Sequence, residues 1–197
     1  MISTLARRYG DDFVVAMLAE AKNSGDVATK EIAMMWSEKQ IQGWLTGHKS
    51  PDDVMTLLKL SEDHMSAKLE ALERFITIHN QKNSGHVVLL DFLTSKYDEG
   101  ELVSMLSKSV KRDDSANSKA LELETLMLAK WVDLGLYPMG VMGRLGMSKT
   151  IEDLTNPKPR TFQKFFVMFH HNKFEGTLEL GDIVTSFFST SMVSAHW

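Results

Sequence analysis

The residues best suited to chemistry are few, and each has a simpler use nearby. His170 and His171 are adjacent. On a helix they diverge by about 100°, and neither a carboxylate nor a histidine four residues on completes a metal-ligand set. Asp52 and Asp53 could form a general acid–base pair, but they follow Ser50-Pro51, where acidic side chains favour the positive end of a helix dipole. Gly140, Gly143 and Gly146 form GxxGxxG without the strand and basic residue of a phosphate loop, so close helix packing or a frayed helix is the expectation. HExxH, CxxC, GxxxxGK and GxSxG are absent, and there is no cysteine for thiol catalysis or a disulfide framework. The reading is of no catalytic residue, no metal ligand and no cofactor.

Two linear signals point to binding. Trp131-Val132-Asp133-Leu134 has the WxxL pattern of adaptor-docking peptides, and Lys108, Lys111 and Arg112 make a small basic cluster. The cluster runs straight into two aspartates, as a solvated loop would. The whole chain carries net charge −4, so nucleic acid is not an expected partner. The 13 methionines are an excess, and methionine makes adaptable binding surfaces when exposed. In the run Met34-Met35-Trp36 not every side chain can face one core, and Trp36 is the candidate protein-binding residue.

The elements that must position these residues are helical. The 12 glycines and four prolines in 197 residues are too few for an all-β chain. The longest apolar run, Phe13 to Ala19, is seven residues, far short of a membrane span. The opening MISTLARRYG has no apolar stretch of the signal-peptide kind, so an intact secretory precursor is not expected. Leu5, Tyr9, Phe13, Met17 and Ala21 recur every four residues and predict one amphipathic helix. NSGD at 23–26 ends it, and a second helix is predicted from about Ala28 to Leu45. Ser50 as N-cap and Pro51 at the first helical position predict a third start. A fourth helix is predicted from about His64 to Gln81, presenting Met65, Leu69, Leu72, Phe75 or Ile76, and His79.

The chain also repeats itself. Offset by 88, residues 5–18 fall on 93–106 with five identities, among them Tyr9 on Tyr97; offset by 87, Trp44, Pro51, Val54, Met55, Leu58 and Ser61 fall on Trp131, Pro138, Val141, Met142, Leu145 and Ser148. The expected architecture is all-α, two tandem helical bundles stacked end to end, at 1–84 and 85–176, with 177–197 a capping helix or the start of a further unit. In the second unit Tyr137 replaces the capping serine, and the connection around NPKPRT at 156–161 is longer. Phe165, or its neighbour Phe166, takes the place of Phe75. A buried indole removes roughly 150–250 Å² from water, so Trp44 and Trp131, with Phe75, Phe165, Tyr9 and Tyr97, form the expected structural core.

WLTGHKSPDDVMTLLKL followed by RFITIHNQKN resembles the W and Y motifs of oomycete RXLR effectors of the Phytophthora type, and LARRYGDDFVVAMLAEAK resembles the L motif that extends a WY unit to an LWY unit. In this resemblance Trp44 and Trp131 match the family tryptophan, and Phe75 and Phe165 stand where its tyrosine usually is. The resemblance implies tandem α-helical bundles secreted by the pathogen that act inside the host plant cell, in cytoplasm or nucleus. They redirect host proteins and suppress immunity without catalysis. It also implies host plant proteins as partners, among them the scaffold of the type 2A protein phosphatase, which some tandem members recruit. The family's signal peptide and RXLR-EER segment are not seen in the sequence, so the chain is expected to be a trimmed effector or a fragment of a longer LWY array. A self-associating helical scaffold is the rival expectation.

Overall fold

The computed structural model describes residues 2–61, 63–113, 118–147 and 157–174. Among them are ten α-helices and no strand, so the fold is all-α. They are α1 (Ile2–Tyr9), α2 (Asp11–Lys22), α3 (Val27–Thr46), α4 (Pro51–Leu58), α5 (Met65–Asn83), α6 (Leu89–Thr94), α7 (Glu99–Asp113), α8 (Lys119–Asp133), α9 (Pro138–Arg144) and α10 (Pro157–Phe174).

The first helix is not the single one that four-residue spacing predicts. Gly10 takes φ +96°, and a Cβ there would lie 2.5 Å from Asp12 Oδ1, so the chain turns where only glycine is comfortable. The turn separates α1 from α2 and changes which face is buried. Val14, Val15 and Leu18 face inward, whereas Tyr9 and Phe13 are each 52% exposed. Tyr9 is therefore not a core residue. Its ring packs at a tilt against Phe13, centroids 5.7 Å apart, and lies under the Arg8 guanidinium.

The start of α4 follows directly from its sequence. The Ser50 side chain accepts from the Asp53 N–H, and the Asp53 carboxylate accepts from the Ser50 N–H and hydroxyl, with Pro51 in the first turn. Two otherwise unpaired helix donors are satisfied reciprocally. At α9 the corresponding Tyr137 provides no side-chain cap. Aspartate and serine cap α3 and α8 in the same way, Asp26 through the Thr29 N–H and Ser118 through the Leu121 N–H.

Where the sequence suggests a connection at NPKPRT, α10 already begins at Pro157. Proline lacks an N–H that the first turn of a helix would leave unpaired anyway, so two prolines here start a helix instead of breaking one. Lys108, Lys111 and Arg112 likewise lie within α7, which runs through to Asp113, and not in a loop. Residues 177–197, expected to cap the bundle, lie outside the described residues.

Among the described residues three buried clusters hold the helices together. One joins Trp44, Leu58, Leu72 and Phe75 to Leu93, Leu102, Leu106, Ala120 and Leu123. It runs unbroken across residue 84, because α5 packs on α7 and α8 as well as on α2, α3 and α4. The Ala120 N–H donates to Ser66 Oγ at 3.3 Å, and Lys119 meets Glu73 at 2.7 Å, both bridging α5 to the start of α8. A second cluster gathers Trp131, Val141, Met142, Phe162, Phe165 and Phe169. A small third one holds Val14, Leu18 and Ala33, with Leu5 and Trp36 at its edge.

Candidate functional site

The residues singled out by sequence are mostly structural. Trp44 is 5% exposed and Trp131 fully buried. Trp44 meets Phe75 edge-on with ring centroids 6.2 Å apart, and Trp131 meets Phe165 edge-on at 6.4 Å, the arrangement aromatic quadrupoles favour. The choice between Phe165 and Phe166 falls to Phe165, which is fully buried while Phe166 packs at the margin. Tyr97 is half-buried against the first cluster; burial, and then the carboxylate of Glu101, push its phenol up. Its counterpart by offset, Tyr9, lies on the surface.

The indole N–H groups of Trp44 and Trp131 each find a carboxylate. Trp44 Nε1 donates to Asp11 Oδ1 at 2.8 Å, and Trp131 Nε1 donates to Glu99 Oε2 at 2.9 Å. Sequence reasoning missed both acceptors, although Asp11 and Glu99 stand 88 residues apart, the offset that aligns 5–18 with 93–106. Gln40 also donates to Asp11 at 3.0 Å, and Arg144 donates to Glu99 at 2.7 Å with Lys130 at 3.5 Å. These carboxylates anchor the α2 and α7 N-termini to the tryptophans and are occupied in doing so. Gly100 lets α7 come this close to the end of α9: a Cβ there would lie 1.8 Å from the Arg144 carbonyl oxygen.

The candidates for chemistry are occupied elsewhere or dispersed. Asp53 is held in the α4 cap, where the Ser50 N–H and hydroxyl keep its carboxyl below the usual range, and Asp52 pairs with Lys96. Gly140 and Gly143 face open space, so close helix packing does not explain them. His170 is half-buried on α10 and His171 exposed. Among the described residues no group of three or more His, Cys, Asp or Glu is placed to hold a metal ion, and no helix is long and apolar enough to cross a membrane. The WxxL segment places its tryptophan and Val132 in the core and leaves Asp133 and Leu134 exposed.

Exposed apolar side chains gather on the outer face of the first three helices and, in the second half, around Leu134, Tyr137 and Met139. Ile32, Met34 and Met35 on α3 are 52, 62 and 47% exposed. Trp36, the residue expected to be the contact, is half-buried against Val14, Leu18 and Ala33, because three consecutive helical positions span most of a turn and Ala33 fixes which side faces in. The methionines, and not the tryptophan, face solvent. Beside them a cleft of about 490 Å³ opens between α2, α3 and α5. Val15, Ile41 and Trp44 contribute its apolar wall, and Glu20, Lys22, Glu38, His64, Glu70 and Arg74 bring its charge. Glu20 lies 3.6 Å from His64, and Glu38 lies 3.5 Å from Arg74.

No family model matches the chain. It is 28% identical over 185 residues to an RxLR effector protein of Phytophthora infestans, an alignment covering 89% of this chain and 26% of the relative. It is 27% identical over 194 residues to the RxLR effector protein PSR2 of Phytophthora sojae, covering 95% of this chain and 28% of that protein. The chain thus spans about a quarter of the length of these curated relatives. Among solved structures, "The Crystal Structure of PcRxLR12" superposes with a TM-score of 0.61 at 30% identity, covering 87% of this chain and 42% of the other.

Proposed function

We propose, for a chain that belongs to the oomycete RxLR effectors, the role of a non-catalytic module that binds host plant proteins after secretion and translocation into the host cell, redirecting them and suppressing immunity. The observation that carries this reading is the division of labour among its apolar side chains. The tryptophans repeated in the sequence are buried, while Tyr9, Phe13, Ile32, Met34 and Met35 stay at the surface of α1–α3. Exposed methionine and aromatic side chains form adaptable contact surfaces.

The chain is read as two LWY-type units, 1–84 and 85–176, in which α5 closes the first and packs on the second. Recurrence of the indole–carboxylate and indole–phenylalanine contacts supports that division. Two adjacent units are what the family resemblance associates with recruitment of the type 2A phosphatase core, so the phosphatase scaffold is the partner to test first. The protein would then contribute shape and charge while the phosphatase does the chemistry.

The test is affinity purification of the tagged chain from plant cell extract, with co-purifying proteins identified by mass spectrometry and Trp131→Ala as the misfolded control. Enrichment of phosphatase scaffold and catalytic subunits by the intact chain alone supports recruitment. A different single host partner keeps the effector reading and removes the phosphatase. Capture of nothing but the chain itself, with a mass by light scattering that rises with concentration, favours the self-associating scaffold.

A further inference from the structure

The space between α7, α8 and α10 is filled by a buried polar cluster, whereas the equivalent space between α2, α3 and α5 is open. In the filled version Glu124 is fully buried. Thr161 Oγ1 lies 2.8 Å from its Oε1 and 2.7 Å from Ser107 Oγ, and Lys164 Nζ donates to its Oε2. The offset of 88 carries Ser107 back to Ala19, and the offset of 87 carries Glu124 to Ser37. An offset of 90, which brings Phe165 onto Phe75, carries Thr161 to Ala71 and Lys164 to Arg74. All four of these residues line the cleft of about 490 Å³.

The substitutions are all in one direction except the last. A glutamate becomes a serine whose hydroxyl turns back to the Ala33 carbonyl at 2.9 Å, and a serine and a threonine become alanines. The cation is kept, as Arg74. Its Nε and Nη2 each lie 3.5 Å from a carboxylate oxygen of Glu38, with both side chains about half exposed; contacts this long and exposed hold weakly, so an incoming acid can displace Glu38. A guanidinium that can donate to two carboxylate oxygens in one plane is a better partner for an incoming acid than the lysine at the equivalent position.

We infer that the cleft is a slot for an acidic side chain, Glu or Asp, carried on a segment of a partner protein, its carboxylate taking the position that Glu124 holds in the second half and pairing with Arg74. This rests on the protein-binding reading above and gives it a chemistry. Glu20, Glu38 and Glu70 stand at the rim, with Glu20 and Glu38 70% and 45% exposed and Glu70 exposed; solvent and salt screen them and the 56% exposed Arg74 alike, so selectivity for an acid rests on the hydrogen bonds the guanidinium makes at contact. Val15, Ile41 and the edge of Trp44 receive the apolar neighbours of the acid.

The test is an NMR titration of the isotope-labelled chain with three capped heptapeptides of alanine and leucine, alike except for a central Glu, Gln or Lys. The Glu peptide is expected to bind, with shifts centred on Ala19, Ser37, Ala71 and the Arg74 side chain. The Gln and Lys peptides, and Arg74→Ala with the Glu peptide, should bind roughly tenfold or more weakly, as loss of a charge-assisted pair implies. Ser37→Glu, which supplies the missing carboxylate internally, should abolish binding. Equal affinity for Glu and Gln, shifts elsewhere, or undiminished binding by a folded Ser37→Glu overturns the slot. As a milder change, Ala19→Ser restores the hydroxyl that Ser107 supplies in the second half and should strengthen binding of the Glu peptide; weaker binding would count against the slot. Capture from plant extract separates this from the broader reading. Host partners retained equally by Ser37→Glu sink the slot and leave the effector role standing, whereas peptide binding without any host partner does the reverse.

Discussion

Trp131 donates its indole N–H to Glu99 at 2.9 Å, and the same carboxylate oxygen accepts from Arg144 at 2.7 Å. One acidic side chain therefore pins the start of α7 to both the buried tryptophan of α8 and the end of α9. Trp44 and Asp11 make the corresponding bond at 2.8 Å, with Gln40 in place of the arginine. Removing the acceptor strands a buried donor, which costs more than a hydrogen bond is worth when made. Glu99→Ala should lower stability by about 1–3 kcal/mol, and Glu99→Gln, which keeps an acceptor, by less. Trp131→Phe should resemble Glu99→Ala, whereas Trp131→Ala should cost about 3–5 kcal/mol. Urea melts of the four variants check the order.

The bridge between α5 and α8 can be isolated by a double-mutant cycle. Lys119 is only 12% exposed at its side chain and lies 2.7 Å from both Glu73 and Glu122. Burial pulls its ammonium down, but the bonds to the two glutamates outweigh it and hold it above the ordinary value. The Lys119→Ala/Glu73→Ala cycle should give a coupling of about 0.5–1 kcal/mol, reduced in high salt. A coupling near zero would leave the apolar packing of α5 on α8 as the whole of that interface.

Lys68 makes the opposite case. Its ammonium donates to the Lys59 carbonyl and to Ser61 at 3.2 Å each, near the left-handed end of α4. Burial is the main influence and draws its value below the ordinary 10.5, against the pull of Asp12 and Asp63. With the native value lowered, the unfolded chain binds more protons between that value and 10.5, so this group adds stability as pH rises through the window. Relative to Lys68→Met, the wild type should gain on going from pH 8 to pH 10.5. An unchanging difference would mean that the ammonium reaches water.

How much of this was legible depended on whether the controlling contact was local. Ser50, Pro51 and Asp53 lie within four residues, and their cap could be read directly, as could the loss of a side-chain cap at Tyr137. The partners of the tryptophans lie 33 and 32 residues upstream; only the repeat offset, which aligns Asp11 with Glu99, hinted at them. Tyr9 stands outside the core because four-residue spacing is blind to the positive φ of Gly10, which breaks the stripe one residue later. Trp36 is half-buried and not fully exposed, because exposure within a three-residue run is decided by Ala33 packing on Val14 and Leu18. The cleft was invisible because its makers, Ala19, Ser37 and Ala71, are unremarkable residues on three different helices.

Two glycines test the distinction between close approach and loose helix. At Gly100 an added Cβ would meet the Arg144 backbone oxygen at 1.8 Å, and backbone cannot swing aside as a side chain can. Accommodating it requires α7 and the end of α9 to part, and the Glu99 bonds to Trp131 and Arg144 lie at that junction. Gly100→Ala should therefore cost about 1–3 kcal/mol or more, as overpacking does. Gly140 lies inside α9 with nothing within 4 Å of such a Cβ. There the only effect is loss of backbone freedom in the unfolded chain, so Gly140→Ala should raise stability by up to about 1 kcal/mol. Thermal melts of the two variants should move in opposite directions, and a rise for both would show that α7 does not sit against Arg144.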